Sequence, residues 1–178
     1  MARIQKDEIV IRTADCFDAP QLAAWWNDGT VMAHAGFPYG LHTTEEKVIA
    51  GMWEGRCMIE YDGKPIGECC YRDCDNHTAE IGIKICETDY QNHGIGRKVL
   101  TILIDWLFQN GFELIVLDTD VNNARARHVY ESLGFQLIRI NENSWQDQIG
   151  AYRSSVDYQL KECDFRPYPF ESEQQKDH

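Results

Sequence analysis

The strongest constraint on what this chain can fold into is a change of period at one join. Residues 80–85 read Glu80-Ile81-Gly82-Ile83-Lys84-Ile85 and alternate strictly: three isoleucines face one way and Glu80, Gly82 and Lys84 the other. From Gly96 to Gln109 the period is helical. Val99, Leu100, Leu103 and Leu107 make an apolar stripe, and Lys98, Thr101, Asp105 and Gln109 a polar one. A half-buried strand therefore runs into an amphipathic helix through a short loop holding Gly94 and Gly96. Glycine lets backbone approach a ligand closely and adopt positive φ. The first N–H groups of a helix lack internal partners, and the helix dipole adds partial positive charge there. Together these features make an anion site suited to a diphosphate, to which Arg97 and Lys98 bring charge-assisted contacts.

Two glycines alone also fit any tight strand-to-helix turn. Two nucleotide-binding patterns are excluded. A P-loop needs G-K-[ST], but Gly96 is followed by Arg97-Lys98-Val99; a dinucleotide fingerprint needs a third glycine where Val99 stands.

The remaining elements follow from pattern and punctuation. With 178 residues the chain is expected to form one domain, residues 1–163, followed by a polar tail, 164–178, whose last residues are expected to be mobile. A first strand covers 8–12. Pro20 suits the first turn of a helix carrying Leu22, Trp25 and Trp26, stopped by Asn27-Asp28-Gly29. Residues 34–42 are irregular and aromatic-rich, with His34, Phe37 and Tyr39. Thr43 and Glu46 have capping-box spacing for a second helix ending near Gly51. Strands 57–61 and 65–72 flank the hairpin turn Asp62-Gly63. Residues 114–117 form an apolar run typical of a central strand, and 123–133 a helix stopped by Gly134. Strands 135–140 and 154–160 are joined by a longer loop. Hairpins first and crossover helices later imply an α/β (α+β) fold with a mixed sheet and helices on both faces.

Composition narrows the partners. Seventeen basic residues against 29 acidic ones give a net charge of −12, with no cationic cluster of the kind that tracks a nucleic-acid backbone. No apolar run approaches the ~20 residues of a membrane span. Seven cysteines and no signal sequence point to a reducing, cytoplasmic setting. Cys69, Cys70, Cys74 and His77 lack the paired spacing of a zinc site, so no metal is expected.

On these residues the chain resembles the GNAT superfamily of acetyl-CoA-dependent N-acetyltransferases. Gln91-Asn92-His93-Gly94-Ile95-Gly96 matches the signature [QR]-x-x-G-x-[GA]. A second block fits as well: Asn123-x-x-Ala126-x-x-x-Tyr130-x-x-x-Gly134-Phe135. Ile11-Arg12-Thr13-Ala14 and Trp26-Asn27-Asp28 look like the branch acting on ribosomal-protein N-termini, spermidine and aminoglycosides. The resemblance implies a mixed, mostly antiparallel sheet of about seven strands, splayed between the fourth and fifth. It further implies that pantetheine lies in that gap along Ile83, Lys84 and Ile85, that the diphosphate sits on residues 91–97 (Gln91, Asn92, His93, Gly94, Ile95, Gly96, Arg97), and that Asn123 meets the pantetheine arm. The 86–90 connection is one residue longer than this branch leads one to expect.

The implied reaction moves an acetyl group from acetyl-CoA to a primary amine of a small molecule or peptide by direct attack. A non-catalytic acyl-CoA-binding module on the same fold is the alternative. Tyr130 matches the family's general acid, although Ala126, Val129, Tyr130 and Leu133 would equally form a core stripe. Glu80 is the candidate base, with a solvated carboxylate beside Lys84 or Arg72 as its bland counterpart. Trp26, Phe37 and Tyr39 fall where relatives form the acceptor pocket. A homodimer is a family habit.

Overall fold

The computed structural model describes residues 3–170, so the tail mobility expected above concerns positions outside the described residues. The strands are β1 (Arg3–Lys6), β2 (Ile9–Thr13), β3 (Arg56–Tyr61), β4 (Lys64–Asp73), β5 (Thr78–Ile85), β6 (Leu114–Asp120), β7 (Gln136–Gln146) and β8 (Tyr152–Lys161). The helices are α1 (Ala19–Asn27), α2 (Gly29–Met32), α3 (Glu45–Ala50), α4 (Ile95–Gln109) and α5 (Ala124–Ser132). The strands form one sheet in the order β1-β2-β3-β4-β5-β6-β8-β7. All neighbours pair antiparallel except β5 and β6.

The seven strands read from the sequence are present, and β1 is an eighth. Its residues are largely exposed, so burial leaves no alternation to read; pairing with β2 forms it. The α3 cap is Thr44 rather than Thr43: its Oγ1 accepts from Lys47 N. The last two strands run much longer than expected. Asn141–Gln146 carries no apolar alternation, yet Asn141 Nδ2 donates to Asp157 Oδ1 (2.8 Å) and Asn143 N to Ser154 Oγ (2.9 Å), which holds the polar hairpin together.

Strand β3 divides the core by parity. Cys57 and Ile59 join the cluster under α4 and α5, which includes Leu103, Leu107, Ile81, Ile115 and Leu117. Met58, on the opposite face, joins Leu22, Trp25 and Val48 under α1 and α3. The helices thus cover both faces. Residues 164–170 lie across α4: Phe165 packs on Phe108, and Tyr168 N donates to Thr101 Oγ1 at 2.9 Å. Among the described residues no helix is long and apolar enough to cross a membrane.

The feature that positions the site is the β5–β6 pair. It is parallel, with α4 as its crossover. Pairing extends only over Thr78–Glu80 against Leu114–Val116. Beyond that, β5 follows β4 to Ile85, and β6 follows β8 to Asp120. The two strands part into a V.

Candidate active site

One side of the V is the start of α4. Gly94, its N-cap, has φ 75° and ψ 0°, a left-handed conformation that suits glycine. Gln91 holds the loop in place: its Nε2 donates to the Ile85 carbonyl at 2.9 Å, and its Oε1 accepts from Arg125 at 3.4 Å. The 86–90 connection contains a single 3-10 turn, Thr88–Tyr90. Gly96 is helical, and a Cβ there would meet only Ile85 Cγ1 at 3.9 Å, so the protein itself leaves room for a side chain. The Arg97 Nε is buried without a hydrogen-bond partner. Glycine at a helix start beside an unused buried donor suits an anionic ligand.

The V opens as a cleft of about 900 Å³. It is lined by Ile83, Lys84, Ile85, Gln91, Asn92, Gly94, Gly96, Arg97, Asn123 and Tyr130 among the residues singled out in the sequence. Asn123 caps α5, its Oδ1 accepting from Ala126 N at 3.2 Å. Glu80, His93 and Ile95 are not among the lining residues. The Glu80 side chain is 43% exposed and faces Arg72 at 3.7 Å.

Two tyrosines meet at the floor, with ring centroids 5.9 Å apart. The hydroxyl of Tyr158 is committed: it donates to Glu131 Oε1 (2.6 Å) and accepts from Arg127 Nε (3.3 Å). Tyr130 lines the cleft, is only 7% exposed, and has no hydrogen-bond partner for its hydroxyl among the described residues. Burial, with the nearby Asp118 charge and Tyr158, pushes its pKa up to about 12. The phenol therefore stays protonated throughout the physiological range.

Asp118, at the far end of β6, also lines the cleft. Although open to the cleft, it is partly desolvated by the surrounding protein. That raises its pKa, and the like charges of Asp157 and Glu80 raise it further. A carboxylate so placed holds a proton more readily than an ordinary aspartate. Sequence reading did not single it out because it follows the apolar run 114–117 and belongs to no motif. The signal that would have found it is topological: ligands gather beyond the carboxyl ends of parallel strands.

The acceptor side differs from expectation. Trp26, Phe37 and Tyr39 are not among the lining residues. Trp26, near the end of α1, turns to the sheet, its Nε1 donating to Glu68 Oε1 at 2.7 Å, with the Arg56 guanidinium stacked 4.7 Å from its ring. Glu68 also pairs with Arg56 and, at 3.8 Å, with Lys84. Phe37 and Tyr39 belong to a loop gripped by the β7–β8 turn. Gln148 N donates to Gly36 O (2.8 Å), Gln148 Nε2 to Gly40 O (2.9 Å), and Tyr39 N to Gln148 Oε1 (2.9 Å). This brings Thr30, His34 and Trp145 to the cleft instead.

Comparison with known proteins agrees with this architecture. Residues 5–135 match the Acetyltransferase (GNAT) family. The chain is 29% identical over 167 residues to N-alpha-acetyltransferase 30 of Saccharomyces cerevisiae, covering 88% of this chain and 92% of that protein. It is 30% identical over 143 residues to the L-amino acid N-acyltransferase MnaT of Escherichia coli, covering 70% and 76% respectively. Among solved structures, yncA from Salmonella typhimurium, determined with its cofactor acetyl-CoA, superposes with a TM-score of 0.70 at 22% identity, covering 87% of this chain and 94% of that one. The chain belongs to the GNAT family and is an N-acetyltransferase.

Proposed function

We propose that this protein transfers an acetyl group from acetyl-CoA to a primary amine by direct attack, with Asp118 taking the amine proton and Tyr130 donating a hydrogen bond to the departing sulfur. The observation that carries the reading is the unpartnered hydroxyl of the largely buried Tyr130, on a cleft whose other side is a glycine-lined helix start. Gln91, Asn92, Gly94, Gly96 and Arg97 hold the diphosphate; Ile83, Lys84, Ile85 and Asn123 flank the pantetheine arm. Acetyl-CoA supplies the activated thioester.

An ammonium ion has no lone pair, so the acceptor must first lose a proton. Asp118 takes it, directly or through water. Glu80 acts on that step through its charge, which raises the Asp118 pKa. Tyr130 donates a hydrogen bond to the sulfur as negative charge develops there and the C–S bond breaks. At about 12 the phenol is a weaker acid than an ordinary thiol at ~8.5, so it keeps its proton and stabilises the departing thiolate as a hydrogen-bond donor.

The carboxylates of Asp118, Asp157 and Glu80 favour a cationic acceptor. One relative is named an N-alpha-acetyltransferase and another an L-amino acid N-acyltransferase. Compounds with a free α-amino group are accordingly the first acceptor class to assay. The test is thiol release from acetyl-CoA in the presence of amino acids, peptides and polyamines. Acetylated product from one of them is expected. Tight CoA binding with no transfer to any amine would replace the enzyme with a CoA-binding module.

A further inference from the structure

We infer that Arg125, in the first turn of α5, is a ligand of the diphosphate cradled at the start of α4, so that the anion site is assembled from both sides of the V. The inference rests on the CoA reading above and adds a residue that neither signature block contains.

Arg125 lines the same cleft as Gly94, Gly96 and Arg97, yet it comes from the opposite side, on the helix that follows β6. Its guanidinium spans the mouth: NH1 reaches Gln91 Oε1 at 3.4 Å, and Gln91 is in turn fastened to the end of β5. That contact is long for an N–H···O bond, and the acceptor is a neutral amide.

The charge setting makes the choice of partner informative. The chain has 29 acidic and 17 basic residues. Arg12, Arg56, Arg72, Arg139 and Arg153 all make ion pairs. Arg125 makes none among the described residues, and neither do Arg3, Arg97, Arg127 and Arg166; of these, Arg97 and Arg125 line the cleft. A guanidinium offers five donors in a planar fork matched to phosphate oxygens, and here a single long contact engages one of them. Opposite it, the buried Arg97 Nε has no partner. Two arginines from two sides of the V, one holding an unused buried donor and the other a weakly used fork, converge on the glycine-lined helix start. An anion with oxygens on both faces satisfies both, and a diphosphate has that shape.

The test is calorimetric binding of CoA and of 3′-dephospho-CoA to the full chain and to its Arg125→Ala and Arg125→Lys variants. Arg125→Ala is expected to weaken both ligands by about 10- to 100-fold, the loss of a charge-assisted hydrogen bond. Arg125→Lys should restore part of that, since lysine keeps the charge without the fork. The loss should shrink at high ionic strength. Arg125 is exposed, so both variants should melt as the parent does. Equal binding by parent and Arg125→Ala would overturn the inference. So would a loss confined to CoA, which would assign Arg125 to the 3′-phosphate. A parent chain that binds neither ligand would fail the CoA reading itself, an outcome distinct from the other two.

Discussion

Replacing Gly96 with leucine separates what the fold needs from what the ligand needs. A Cβ at this position meets only Ile85 Cγ1, at 3.9 Å, which is ordinary contact distance. The residue is helical, the second of α4, and leucine is a far better helix former than glycine, by roughly 0.8–1 kcal/mol in a helix interior. In a first turn about half of that is realistic, so Gly96→Leu should raise the melting temperature by about 1–2 °C in a domain of this size. The new side chain projects into the cleft that Gly96 lines. There it takes the space of the diphosphate and separates it from the helix-start N–H groups. Losing one or more charge-assisted hydrogen bonds should weaken CoA by at least ~10- to 100-fold. Thermal melting and titration calorimetry on one sample measure both. Gly96→Ala should bind nearly as the parent does, because the family signature admits alanine there. A destabilised Gly96→Leu would refute the packing argument. Unchanged CoA affinity would refute the location of the diphosphate.

Other outcomes follow from the site. Tyr130→Phe should lower turnover by about 10²–10⁴-fold with CoA affinity nearly intact, since the hydroxyl has no protein partner to lose; steady-state kinetics with calorimetry checks this. Asp118→Asn should abolish most turnover yet raise the melting temperature near neutral pH. The folded state holds the Asp118 pKa above its unfolded value of about 4, so its ionised form opposes folding above that pH; the gain should vanish as pH falls below it. Glu80→Gln removes a charge that raises the Asp118 pKa. The acidic limb of the kcat/KM profile should therefore move to lower pH with turnover retained. Loss of turnover without that displacement would make Glu80 itself the base.

The stretch that lines the cleft from β5 to the start of α4 was legible because its pattern is written into local sequence. A strand alternation ending in Gln91 and two glycines can be read without knowing what packs where, and Tyr130 falls at a fixed distance from Asn123 along one helix. The rest of the cleft lining was not legible, because it depends on partners distant in the chain. Trp26 looks like a pocket aromatic until its indole finds Glu68, 42 positions away. Phe37 and Tyr39 sit in a loop whose path is set by Gln148, more than 100 residues downstream. Trp145 lies in a polar stretch that reads as loop but folds as strand β7, which brings its side chain to the cleft. The extra strand β1 escaped for a related reason: its stabilisation is backbone pairing on an exposed edge, which leaves no mark on side-chain pattern.

The brief union of β5 and β6 has a mechanical consequence. The sheet is two half-sheets, β1 to β5 and β6-β8-β7, stitched by three residue pairs. The glycine loop at the start of α4 belongs to the larger half, while Tyr130, Asp118 and Arg125 belong to the smaller. A molecule lodged between them touches both and acts as a spline across the seam. In the proposed reaction that molecule is the acetyl donor, and its seating then bears on how Tyr130 and Asp118 face the thioester. The donor is then both a reactant and, for as long as it stays, a structural member of the enzyme that consumes it.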